Sequence, residues 1–146
     1  MDPLDDRLLT ELSRDASRST SALARTLGVA RSTVQARIDR LTSSGVITGF
    51  TIRLGADFDR RRIRATVLLN AAPRSTAPVL ARLKSMPEVE SCHTSTGRVD
   101  LILRLVVDDT AALDQVLDRI GAIPGVTNTE SLIQLSTKWD RRAGDA

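Results

Sequence analysis

The chain has 146 residues, 41% of them hydrophobic, and a formal net charge of +3, which fits one domain or two small ones with real cores. It has no run near the roughly 20 apolar residues of a membrane span, and its acidic start at Asp2, Asp5 and Asp6 is unlike a signal peptide. Its single cysteine, Cys92, excludes an internal disulfide and predicts a reducing cytoplasm. Together with His93 it falls short of the about four ligands that zinc takes, so no metal or cofactor is expected.

Positive charge is concentrated in the first part of the chain. Residues 1–64 carry a net charge of +4 (12 Arg against 8 acidic residues), whereas residues 65–146 carry −1 (9 basic against 10 acidic residues). A basic half suits a polyanionic partner.

Three helices are predicted in this basic part. Pro3 suits the first turn of a helix after Asp2. Ser19 is a good N-cap for a second helix, Ala30 is a poor one for a third, and Gly45 suits its end. The first helix presents one apolar face, formed by Leu4, Leu8, Leu9 and Leu12.

The second and third helices have the pattern of a helix-turn-helix with its turn at Gly28. Apolar residues recur at helical spacing in each, at Leu23, Ala24 and Leu27 and at Val34, Ile38 and Leu41. Polar groups able to contact bases or phosphates then face outward. We expect the DNA-binding residues to be Arg31, Ser32, Thr33, Gln35, Ala36, Arg37 and Arg40. The alternative is an ordinary helical hairpin with a solvated basic face.

Two segments follow this unit. Val46–Arg53 alternates loosely and predicts a short strand. Asp57–Arg64 is a charged connector whose arginines either are solvated or contact flanking phosphates. We expect a DNA-binding domain at 1–53, a linker at 54–63 and a second domain at 64–146.

The second half contains a degenerate repeat. The pattern Leu83-x-x-Met-Pro-x-Val returns 37 residues later as Ile120-x-x-Ile-Pro-x-Val. Each copy ends an amphipathic helix that follows an apolar strand, Ala65–Ala71 or Leu101–Val107, and each leads into an extended segment. The order β-α-β-β-α-β predicts a ferredoxin-like α+β domain, with both helices on one face of the sheet.

The strand Leu101–Val107 is apolar on both faces, with only Arg104 intruding. In so small a domain this predicts that a second subunit covers the open face of the sheet. A homodimer would also suit a DNA-binding protein whose two-fold symmetry matches that of its DNA site.

These motifs together resemble the Lrp/AsnC family, the leucine-responsive and asparagine-responsive (feast/famine) regulators, over essentially the whole chain. The helix-turn-helix part matches in Leu4-Asp5-x-x-x-Leu9, Ser19-x-x-x-Leu23-Ala24-x-x-Leu27-Gly28, Ser32-x-Val34-x-x-Arg37-Ile38-x-x-Leu41 and Gly45-Val46-Ile47-x-Gly49-Phe50. The second half matches in Pro87-x-Val89, Thr96-Gly97-x-x-Asp100 and Pro124-Gly125-Val126.

The resemblance implies a bacterial or archaeal transcription regulator with a winged-type helix-turn-helix and a domain for effector binding and oligomerisation. It also implies dimers that often assemble to octamers, and an amino acid bound between dimers near the Gly-x-x-Asp turn. Two positions depart from the family pattern: Ala30 replaces a common serine, and Arg98 replaces a common aromatic.

The effector site is predicted at this turn. Gly97 allows backbone amides to approach the carboxylate of a ligand, and the Arg98 guanidinium can donate two hydrogen bonds to that carboxylate. Asp100 either accepts a hydrogen bond from an amino group of the ligand or holds the turn in place. Arg98 could instead pair with a neighbouring dimer or face water. The expected site residues are Thr96, Gly97, Arg98, Val99, Asp100, Thr127, Thr129 and Ser131.

Other functions fit less well. An enzyme needs a nucleophile with a base, paired carboxylates in a cleft or a metal cluster, and these are missing from the pattern. An RNA-binding sheet needs aromatic residues, but Phe50, Phe58 and Trp139 lie outside the predicted core strands. The remaining alternative is a ligand-sensing or oligomerisation protein of the same fold without an effector-dependent DNA role, which a gel shift would distinguish.

Overall fold

The computed structural model describes residues 1–55 and 61–139. These residues form two compact units, Met1–Arg53 together with Lys138 and Trp139, and Leu54–Thr137. Part of the predicted charged connector, residues 57–60, and the chain end at 140–146 lie outside the described residues.

The first unit contains the three predicted helices: α1 (Pro3–Arg14), α2 (Thr20–Leu27) and α3 (Arg31–Ser43). Ser19 caps α2 by accepting a hydrogen bond from the backbone of Ala22, whereas Ala30 gives α3 no side-chain cap. The helices pack through a core formed by Leu8, Leu12, Leu23, Ala24, Leu27, Val34, Leu41 and Ile47. The predicted apolar stripes are therefore confirmed.

The tight turn between α2 and α3 is built on Gly28. Its φ of 72° lies in the left-handed region, and its N–H donates to the carbonyl of Ala24 at 2.9 Å. Glycine adopts this conformation without the steric cost that a Cβ imposes, so α2 can end sharply and α3 can start at Arg31, three residues after Gly28.

The predicted strand Val46–Arg53 is wrong. Residues 46–53 all belong to the described part of the chain, and none of them is in a strand. Ile47 packs into the helical core, while the side chains of Phe50 and Ile52 are exposed. A lone extended segment needs a neighbouring strand for its backbone hydrogen bonds, and the helices of this unit offer none.

The second unit has the predicted β-α-β-β-α-β order. Its elements are β1 (Ile63–Ala71), α4 (Thr76–Lys84), β2 (Val89–Thr94), β3 (Leu101–Val107), α5 (Thr110–Gly121) and β4 (Val126–Gln134). The four strands form one antiparallel sheet in the order β2-β3-β1-β4. This order places both long apolar strands, β1 and β3, at the centre.

The register separates the two faces of the sheet. Val67 pairs with Leu103 on the face that packs against α4 and α5, and both are fully buried. The opposite face carries Leu68 paired with Ile102, together with polar neighbours such as Arg104. Alternating burial along β3 confirms that apolar residues occupy both of its faces.

Candidate DNA-binding and effector sites

The outward face of α3 carries the residues predicted to contact DNA. Ser32 and Ala36 are exposed, and Thr33 is half-buried. The Arg31 Nε donates to Thr20 Oγ1 at 3.2 Å, and the Gln35 Nε2 donates to Asp39 Oδ1 at 2.8 Å. Both hydrogen bonds lie at the surface, where DNA groups can replace them. A shallow groove on this face is lined by Ser32, Thr33, Ala36, Arg37 and Arg40.

Arg37 and Arg40 are not simply solvated. The Arg37 Nη1 donates to Asp5 Oδ1 at 2.9 Å and also pairs with Asp2, while the Arg40 Nη2 donates to Asp5 Oδ2 at 2.6 Å. The Arg37 side chain is 24% exposed and the Arg40 side chain 56%. Both arginines therefore have a structural contact to α1 in addition to their position on the groove.

Asp5 is one of the residues that sequence reasoning missed. It forms a capping box with Asp2 at the start of α1: Asp2 accepts from the backbone of Leu4 and Asp5, and the Asp2 N–H donates to Asp5 Oδ2 at 3.0 Å. The two acids three residues apart around Pro3 indicate the capping box in the sequence. The pairing with α3, over 30 residues away, has no local signal.

The electrostatics of this cluster favour the ionised acids. The pKa of Asp5 falls from 3.8 to about 2, first because the backbone N–H of Asp2 donates to it and then because Arg37 does, while burial opposes the change. The Arg37 hydrogen bond likewise lowers the pKa of Asp2 and is matched by a raised pKa for Arg37. These carboxylates stay charged at neutral pH.

The predicted effector turn lies between β2 and β3. Thr96, Gly97 and Arg98 are exposed, Val99 is half-buried, and Gly97 has a φ of 110°. Asp100 Oδ2 accepts from the Ala71 N–H at 2.9 Å, so its carboxylate ties the turn to the end of β1. Asn70 also holds the turn, donating to the Arg98 carbonyl at 3.1 Å and accepting from the Asp100 N–H at 3.1 Å.

Arg98 lies near an acid that sequence reasoning did not select. Its Nη2 is 3.6 Å from Glu130 Oε2, with the two side chains 79% and 50% exposed. Thr129 and Ser131 alternate with Glu130 along β4 and pair with Leu69 and Val67. Their side chains therefore point to the opposite face of the sheet from Glu130. Thr127 is exposed near the start of the same strand.

The described residues contain no helix long and apolar enough to cross a membrane. They also contain no group of three or more His, Cys, Asp or Glu side chains placed to hold a metal ion.

Family models match both halves of the chain. The AsnC-type helix-turn-helix domain matches residues 1–42, and the Lrp/AsnC ligand binding domain matches residues 64–143. The chain belongs to the Lrp/AsnC family. It is therefore a transcriptional regulator with a ligand-binding domain and is not an enzyme.

Individual relatives agree with this assignment. The HTH-type transcriptional regulator LrpA of Mycobacterium tuberculosis is 33% identical, over 97% of this chain and 95% of the relative. The structure of Escherichia coli AsnC matches with a TM-score of 0.87 at 25% identity, over 97% of both chains. A transcriptional regulator of Neisseria meningitidis, solved as an L-Met complex, has the same fold, with a TM-score of 0.87 at 21% identity, over 98% of this chain and 95% of that one.

Proposed function

We propose that this Lrp/AsnC regulator binds double-stranded DNA through the outward face of α3, and that an amino acid bound beside the turn 96–100 changes its assembly and DNA affinity. Residues 1–53 supply the DNA-binding domain, 54–63 the linker, and 64–146 the effector-binding and oligomerisation domain. The expected setting is the cytoplasm, with the chain acting as a homodimer or a higher oligomer.

The DNA-binding part is supported by the residue types on α3. Arg31 and Gln35 occupy the exposed face, and each side chain can pair bidentately with a purine edge. Ser32 and Thr33, in the first turn of the helix, suit phosphates or either base. The burial of Val34 and Leu41 on the opposite side holds this face outward.

One observation supports an amino acid as the effector: the exposed pair Arg98–Glu130 at the turn. A free amino acid carries a carboxylate and an ammonium group close together. Placed beside the pair, it presents the carboxylate to the Arg98 guanidinium and the ammonium to Glu130, so each charge of the protein keeps an opposite partner. A ligand that lacks either the carboxylate or the ammonium group would lose this match. An L-Met complex of one protein with this fold is in keeping with the proposal.

The remaining predicted residues have separate roles in the proposal. Asp100 acts through the turn, because its carboxylate already accepts the Ala71 N–H. Thr129 and Ser131 lie on the other side of β4 from Glu130, so we expect them to contact an effector held by a neighbouring subunit. Thr96, Val99 and Thr127 complete the surroundings of the site.

Calorimetry with the twenty amino acids tests the effector. We expect at least one to bind, and we expect Arg98→Ala and Glu130→Gln each to weaken its binding by about tenfold, since each removes a charge-assisted contact. Arg82→Ala, at an exposed arginine of α4, is the matched control and should bind as the wild type does. If Arg98→Ala binds the same amino acid equally well, the site lies elsewhere.

For the amino acid to act as an effector, it must bind two states of the regulator with different affinities. A gel shift with the same amino acid should show a changed DNA affinity, because an effector acts only through unequal affinity for the two states. Unchanged DNA affinity under saturating amino acid would favour a sensing or assembly protein without an effector-dependent DNA role.

A further inference from the structure

Asp5 links the start of α1 to two arginines on the outward face of α3. Its carboxylate accepts three hydrogen bonds: from the Arg37 Nη1 at 2.9 Å, the Arg40 Nη2 at 2.6 Å and the Asp2 N–H at 3.0 Å. Among the described residues, Asp5 is the one polar or charged residue that is fully buried. Losing a partner of a buried charge is costly, so these contacts are held firmly.

The contacts with acids use only one nitrogen of each guanidinium. A guanidinium has five N–H groups in a planar fork. Within the described residues Arg37 donates to acids through Nη1 alone and Arg40 through Nη2 alone. The same two side chains line the groove on α3. One end of each fork is therefore fixed by α1 while the rest remains near the groove.

We propose that Asp5 is a positioning residue for sequence readout, which clamps Arg37 and Arg40 so that their remaining N–H groups meet the DNA in a fixed orientation. The inference rests on the proposed DNA-binding role of α3. An arginine that is already oriented loses less conformational freedom when it binds a defined base edge. The Asp5 charge also offsets part of the attraction of this pair to any phosphate, which restrains binding to unrelated sequences.

The substitution Asp5→Asn in the full chain tests the proposal, since it keeps the shape and removes the charge. Two duplexes of equal length serve as probes: one selected by the wild-type protein from a randomised library, and one with the selected sequence scrambled. We expect Asp5→Asn to bind the scrambled duplex more tightly than the wild type does. A plot of log K against log salt concentration should also be steeper for the variant, by about one unit of slope. We expect the affinity ratio, which is the affinity for the selected duplex divided by that for the scrambled one, to be about tenfold lower in the variant than in the wild type.

Two further variants separate the possible causes. Glu11→Gln removes the same charge from the same helix, but its partners are Arg14 and Arg18 and not residues of α3. It should leave both the ratio and the salt slope unchanged. Arg31→Ala tests the α3 surface itself: if it leaves both affinities unchanged, the proposed DNA surface is wrong, whatever Asp5 does.

Arg40→Lys keeps the proposal testable if Asp5→Asn does not fold. The Arg40 side chain is 56% exposed, and a lysine ammonium in its place can still pair with the Asp5 carboxylate, so we expect this variant to fold. Lysine keeps the charge but lacks the fork needed to hold Asp5 and a base edge together. We expect a lower affinity ratio at an unchanged salt slope. A wild-type ratio in Arg40→Lys, or in a folded Asp5→Asn, would overturn the proposal, as would equal losses on both duplexes.

Discussion

Asp5 shows at the scale of one residue how a buried charge makes stability depend on pH. Its pKa of about 2 in the folded chain lies below the ordinary 3.8, because the Asp2 N–H, Arg37 and Arg40 all stabilise the ionised form. A lowered pKa contributes stability that is fully present above the ordinary pKa and is lost as the pH falls through the folded value. Asp5 therefore stabilises the helical unit above about pH 4 and loses this effect towards pH 2.

Thermal unfolding followed by circular dichroism checks this. We expect Asp5→Asn to lower the melting temperature at pH 7 and to flatten the fall in melting temperature between pH 4 and pH 2. Asp2 also has a lowered pKa and shares Arg37, so part of the pH dependence remains in the variant. Asp6→Asn, at an exposed acid of the same helix, is the control. An identical pH profile for wild type and Asp5→Asn would contradict the role given to Asp5.

Helices and strands were predictable where the sequence pattern that specifies them lies within the element itself. Helical spacing of Val34, Ile38 and Leu41 and the two-faced apolar pattern of Leu101–Val107 identified α3 and β3, and burial follows both patterns. The strand predicted at 46–53 failed because a strand depends on a partner that its own sequence does not specify. The Asp5 pairing and the Arg98–Glu130 pair were missed for the same reason, since both join residues distant in sequence.

The turn before β4 packs closely against the residue that precedes α4, and a substitution in this turn tests that packing. Gly125 precedes β4 with a φ of 99°, and a Cβ built on it would lie 2.4 Å from the Cβ of Ser75, just before α4. Its carbonyl also accepts from the Ala72 N–H at 2.7 Å. We expect Gly125→Ala to lower the free energy of unfolding by about 1–3 kcal/mol, from the strained φ together with the clash.

Gly121→Ala is the matched control for this prediction. Gly121 lies in α5, and a Cβ there would meet no heavy atom within 4 Å. Alanine is the better helix former by roughly 1 kcal/mol, so this variant should be at least as stable as the wild type in urea unfolding. A Gly125→Ala chain as stable as Gly121→Ala would show that the loop at Ser75 moves aside without cost.

The face of the sheet opposite α4 and α5 is the surface on which we expect a second copy of the chain to pack. Leu68, Ile102, Val106 and Leu132 share this face, with Leu132 49% exposed. Apolar residues at the centre of an otherwise polar surface are typical of a subunit interface. A two-fold interface here would pair two chains and so supply two copies of α3 to one DNA site.

We therefore expect light scattering to give at least a dimer for the full chain at micromolar concentration. Ile102→Glu should shift the mass towards one chain, because it buries an unpaired charge in the proposed interface. Ala81→Glu, at an exposed position of α4, adds the same charge outside that face and should leave the mass unchanged. The dimer should select a roughly palindromic duplex with half-sites about 34 Å apart or a multiple of this spacing, and Ile102→Glu should lose that selection. A stable wild-type monomer that still selects such a duplex would show that the open face does not bring the two copies of α3 together.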